Sequence, residues 1–212
     1  MKFKDTKYGD LTGQSYKGDI YIYEKKLTSL EGAPKYITGS FLCNDTKITS
    51  LEGAPKAVEG SFICVGDENL KSLKGAPKIV NGGFDCHSNK KLTSLEGAPE
   101  KVNAYFDCSR NSNLTSLKGA PDTVTSNFYC YNNPNLTSLE GIPKTVGSNF
   151  DCSNCHKLTQ NGIYQLLDSD IKGEIKVPRG LTAPTKEDYK LYKKLGMKKF
   201  LKIKELKAKL KN

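Results

Sequence analysis

No run in this chain approaches the roughly 18 consecutive apolar residues that a membrane-spanning helix needs. The opening MKFKDTKYGD likewise holds no apolar core of the kind a signal peptide carries. A soluble, cytoplasmic and unsecreted protein is therefore expected. Arginine is nearly absent, with only Arg110 and Arg179 among 33 basic residues, which argues against bidentate reading of base edges. The formal net charge of +10 is also missing from most of the chain, because residues 186–212 carry eleven lysines against Glu187, Asp188 and Glu205. Basicity points to a polyanionic partner in that tail alone.

What the chain does have is repetition. LTSLEGAPK stands at Leu27–Lys35, returns with substitutions at Ile48, Leu70, Leu92, Leu114 and Leu136, and decays into LTQNG at Leu158. The first interval is 21 residues and every later one is 22. A period that constant means one small unit stacked on its neighbours, each too small to bury its own apolar face. Seven rungs at about 4.8 Å each give a stack on the order of 30 Å long.

Within each rung a Phe and a Cys stand two residues apart, as in Phe84/Cys86 and Phe106/Cys108. Two-residue spacing in a strand puts both on one face and the residues around them on the other. Six of the seven cysteines, Cys43, Cys64, Cys86, Cys108, Cys130 and Cys152, fall in that one column. A column repeated six times reads as a packing requirement met by small buried thiols, not as a disulfide framework. The preceding Ile37, Val58, Val80, Val102, Val124 and Val146, with the two leucines of each LTSL, complete the interior. Gly-Ala-Pro then turns the chain, since proline cannot donate to a ladder and glycine permits a corner that a Cβ obstructs. Three residues after the cysteine stand Asn89, Asn111 and Asn133, with Thr46, Asp67 and Cys155 in the same column. A buried asparagine ladder there would satisfy backbone groups where the strand ends.

The order Phe-x-Cys-x-x-Asn followed by Leu-x-x-Leu resembles the leucine-rich repeat in its short form, over about Asp19–Asn161. The LTSLEGAPK wording also resembles repeat proteins encoded by large tailed bacteriophages and some bacteria. That resemblance implies a leucine-rich-repeat-like solenoid with one parallel β-sheet and a mostly non-helical convex side. It further implies a non-enzymatic protein-binding module whose strand face meets a host or virion protein, in the host-cell cytoplasm or in the virion.

The repeat divides the chain into a cap at 1–18, the solenoid at 19–160, a second cap at 161–178, a linker at 179–185 and a basic helix at 186–212. The second cap is expected to hold a short helix with Ile163, Leu166 and Leu167, then a strand in IKGEIKV. Thr185 and Asp188 form an N-cap pair opening the last helix. That helix is amphipathic, lysine-faced, and interrupted by Gly196.

The candidate partner-binding residues lie on the outward strand face. Tyr21, Tyr23, Leu42, Ile63 and Val65 make an apolar patch on the first rungs, Asp85, His87 and Asp107 a polar middle, and Tyr129 with Tyr131 an aromatic end. The competing reading folds the N-terminal segment over the apolar patch. Asp85 and Asp107 stack on adjacent rungs with His87 two residues along. They form either a carboxylate pair open to hydrolysis or metal binding, or a solvated acidic stripe. The stripe is preferred, and no catalytic residue, metal or cofactor is assigned. In the tail, Lys198, Lys199, Lys202, Lys204 and Lys207 are candidates for nucleic acid, a virion-assembly role or anionic lipid. The alternative packs the helix on the end of the stack and leaves its lysines solvated. Cys152-Ser-Asn-Cys155-His156 matches the c-type haem attachment pattern, but the repeat already accounts for both cysteines.

Overall fold

The computed structural model describes residues 1–210. They form a β-solenoid of about seven turns, with short parallel strands on every rung and no helix between Lys7 and Thr159. A second parallel sheet joins the one expected. The first sheet carries the Phe column in eight strands, from Ile20–Ile22 through Phe41–Cys43, Phe84–Asp85 and Phe106–Asp107 to Ile175–Lys176. The second carries the preceding Val column, also in eight strands, from Ser15–Tyr16 through Lys101–Val102 to Asp170–Ile171. The extra sheet arises because the residues after Gly-Ala-Pro are extended too, and a constant rung length sets them beside their counterparts, Val80 by Val102 and Val102 by Val124.

In the Phe-bearing sheet the register is column on column, with Phe106 paired between Phe84 and Phe128. The six phenylalanines therefore stack nearly parallel, with ring centroids 5.2–5.5 Å apart along the ladder. They are fully buried, as are the six cysteines beside them and the paired leucines of each rung down to Leu139. All seven cysteines are free thiols. Burial pushes the thiols of Cys43 to Cys130 well above the ordinary value, so they remain protonated fillers.

The asparagine ladder closes the strand ends. The amide N–H of Asn89 donates to Asn111 Oδ1, and that of Asn111 to Asn133 Oδ1, both at 2.7 Å. Each side-chain amide then donates to two cysteine carbonyls, as Asn111 Nδ2 does to Cys86 and Cys108 at 3.1 and 2.9 Å. At the corner, Gly97 has φ +90° and a Cβ there would stand 2.6 Å from the Lys74 backbone nitrogen. Both the sign of φ and the rung spacing therefore demand glycine.

The ends are closed differently. Phe3 is fully buried and stacks on Phe41 at 6.3 Å, extending the ring ladder past the first rung. Tyr8 Oη accepts from the Tyr21 N–H at 2.9 Å, supplying the edge strand with a partner. At the other end, a helical turn α1 (Gln160–Ile163) and a 3-10 segment, Tyr164–Asp168, bury Ile163, Leu166 and Leu167. Helix α2 (Lys186–Lys209) opens on a capping box between Thr185 and Asp188. It breaks at Gly196, whose φ of 71° and ψ of 163° are not helical. The second half then folds back on the first, bringing Lys204 Nζ to 2.7 Å from Asp188 Oδ1. Phe200 is fully buried in a cluster with Tyr164 and Leu167, so the helix packs on the end of the stack. Lys211, the last lysine of the expected helix, lies outside the described residues.

Candidate functional site

Because the inward columns are taken up by packing, the candidate residues are those on the outward face of the Phe-bearing sheet. The structure places all ten candidate residues on that face, in two columns that run from rung to rung: Tyr21, Leu42, Ile63, Asp85, Asp107 and Tyr129 in one, Tyr23, Val65, His87 and Tyr131 in the other. The N-terminal segment does not cover the apolar patch. Tyr8 hydrogen-bonds the backbone of Tyr21, and Tyr21 and Tyr23 stay 42% and 58% exposed. Leu42, Ile63 and Val65 beside them are half-buried. At the far end Tyr129 and Tyr131 meet edge to face at 6.2 Å, and the Arg110 guanidinium lies 5.9 Å from the Tyr131 ring.

The polar middle differs from the solvated stripe preferred from the sequence. The Asp85 side chain is only 14% exposed and His87 32%. On the next rung the Tyr105 ring lies over Gly83, where a Cβ would stand 2.3 Å from Cε1. Burial pushes the Asp107 carboxyl above the usual range, opposed by Ser109 and reinforced by the charge of Asp85. Burial and both aspartates likewise raise the Tyr105 hydroxyl. Asp85 Oδ1 receives the His87 N–H at 3.0 Å and lies 2.7 Å from His87 Nδ1. Asp107 Oδ1 receives the Ser109 N–H at 2.8 Å. One oxygen of each aspartate thus closes its own strand end.

Tyr105 and Ser109 belong to this middle zone although neither is among the ten candidates. Gly83, set in the Tyr105 column of the preceding rung, is the sequence signal for the first. Ser109 carries none, because serine outside a strand end is ordinarily solvated and here it is fully buried.

The tail lysines separate into two kinds. Lys198, Lys199, Lys202 and Lys207 are exposed. Lys204 is drawn into the hairpin, paired with Asp188 and lying 5.3 Å from the Tyr164 ring centroid. Burial works against Asp188, yet the Lys204 ion pair and the Thr185 hydrogen bonds hold its carboxyl below the usual range. Cys152 and Cys155 are both buried, so neither thiol is presented to a haem vinyl group. No helix among the described residues is long and apolar enough to cross a membrane. No family model, curated protein or solved structure matches the chain.

Proposed function

We propose that this solenoid is a non-enzymatic protein-interaction module that engages a partner protein through the outward face of its Phe-bearing sheet, anchored on the first three rungs. The observation that carries this reading is the patch in which exposed Tyr21 and Tyr23 adjoin Leu42, Ile63 and Val65 across paired strands. Tyrosines on a rigid sheet supply large contact area at low entropic cost, and they are common interface anchors. The wording of the repeats, which resembles leucine-rich-repeat-like proteins of tailed bacteriophages, supports a bacterial host protein or a virion component as the partner.

The test is affinity capture from a nuclease-treated bacterial lysate. It compares the full chain, a Tyr21→Ala/Ile63→Ser/Tyr129→Ala variant, and a variant with Lys198, Lys199, Lys202 and Lys207 changed to Gln. A discrete protein retained by the wild type and the lysine variant but lost from the face variant supports the proposal. Retention by the face variant overturns it, and loss with the lysine variant moves function to the helical hairpin.

A further inference from the structure

Asp85, His87, Asp107 and Ser109 occupy the four corners of one square on the outer face, two adjacent residue columns on two adjacent rungs. Three of the corners carry metal-ligating groups. One ligand atom from each of Asp85, His87 and Asp107 lies within 4.8 Å of the others. The hydrogen bonds to the His87 and Ser109 amides use Oδ1 of each aspartate, so neither Oδ2 is taken up by those bonds. The fourth corner holds an independent sign of an absent partner. Ser109 is fully buried, and its hydroxyl, set toward Asp107, makes no hydrogen bond of adequate geometry. A buried hydroxyl without a partner is costly unless something else satisfies it.

Charge points the same way. Two largely buried carboxylates stand on neighbouring rungs, yet among the described residues no Lys or Arg is ion-paired to either, in a chain with 33 such residues. Bringing like charges together in such a place is unfavourable unless a cation joins them. The same Asp-x-Ser geometry at Asp151 and Ser153 is a useful contrast. There Tyr129 occupies the preceding rung, so no second carboxylate converges.

We propose that Asp85, His87 and Asp107 bind a divalent transition-metal ion of the zinc class, with the Ser109 hydroxyl at the fourth corner completing its surroundings. An imidazole nitrogen with two carboxylates suits zinc and its neighbours, whereas calcium and magnesium favour all-oxygen sets. The coordinating nitrogen of His87 must be free of its proton, which passes to the other ring nitrogen or to solvent. This site stands whether or not the face binds a protein.

The chain has two histidines, His87 and His156, so ring nitrogen chemical shifts of the full-length, reduced protein report on the site directly. Titration with zinc chloride is expected to shift the His87 ring nitrogens to saturation at a single equivalent and leave His156 unmoved, with excess magnesium unable to compete. Asp107→Asn, an isosteric change on the outer face, should weaken zinc binding at least roughly tenfold. Absence of saturable shifts at His87, parallel shifts at both rings, displacement by magnesium, or unchanged affinity in Asp107→Asn would each overturn the proposal. The wild-type ring spectrum decides the matter even if the variant misfolds.

Discussion

The stack and the helical hairpin that closes it are held by opposite strategies. In the stack every contact is one member of a column: the Phe, Cys, Leu and Asn ladders repeat rung after rung and are satisfied only by the next rung. In the hairpin each contact occurs once: one buried Phe200, one Lys204–Asp188 pair and one break at Gly196. A column spreads any defect over its neighbours and couples all rungs into one unit. A singular contact can fail alone. The outer face inherits its rigidity from the columns beneath it, which allows its own residues to vary.

The sharpest way to break this contrast is to empty one site in the ring ladder. Phe106→Ala should cost roughly 3–5 kcal/mol by urea unfolding, whereas Asp107→Ala on the same strand should cost little. The reverse order would mean that the inward and outward faces are exchanged.

Asp67 is the one charged member of the asparagine ladder, and it makes the column testable by pH. Its Oδ1 accepts from the Thr46 N–H at 2.6 Å, but its buried Oδ2 has no partner where an asparagine would donate to carbonyls. Burial raises its carboxyl pKa from an ordinary 3.8 to about 6. Between those values the folded state keeps a proton that the unfolded chain has lost, so stability is fullest below the lower value and falls as pH rises through the upper one. The loss amounts to at most about 3 kcal/mol. Asp67→Asn restores the donor and should abolish that fall in pH-dependent unfolding, raising stability at neutral pH. An unchanged pH profile would show that Asp67 is not the group responsible.

Gly97→Ala strains a positive φ and presses on the rung before it, and should cost about 1–3 kcal/mol. The smallest effect is expected from the hairpin. Phe200→Ala should free amide exchange across 197–209 while moving the unfolding of the stack by less than about 0.5 kcal/mol. A large shift would mean that the hairpin is part of the cooperative unit.

These differences follow how much of each region could be read from the sequence. The Phe and Cys columns are legible because each residue recurs on six rungs, and the Asn column because asparagine holds three consecutive rungs, so the inward sense is stated repeatedly. The second sheet is less legible, since a two-residue strand such as Lys101–Val102 shows a single inward residue and no alternation. Thr185, Asp188 and Gly196 mark the start and the break of the last helix. The withdrawal of Lys204 from the exposed lysines depends on the chain reversing at Gly196, which spacing along a continuous helix does not show. On the outer face Asp85, His87 and Asp107 can be placed by register, but the partial burial of their side chains cannot, because a column alone does not show how neighbouring side chains fall across it.

The most direct test of the binding face is hydrogen exchange read by mass spectrometry on the chain alone and bound to the captured partner. Protection should concentrate in peptides covering 19–24, 40–45 and 61–66, with residues 197–209 unchanged. Protection confined to 197–209, with the strand peptides exchanging as in the free chain, would contradict the assignment and place the partner on the lysine-rich hairpin.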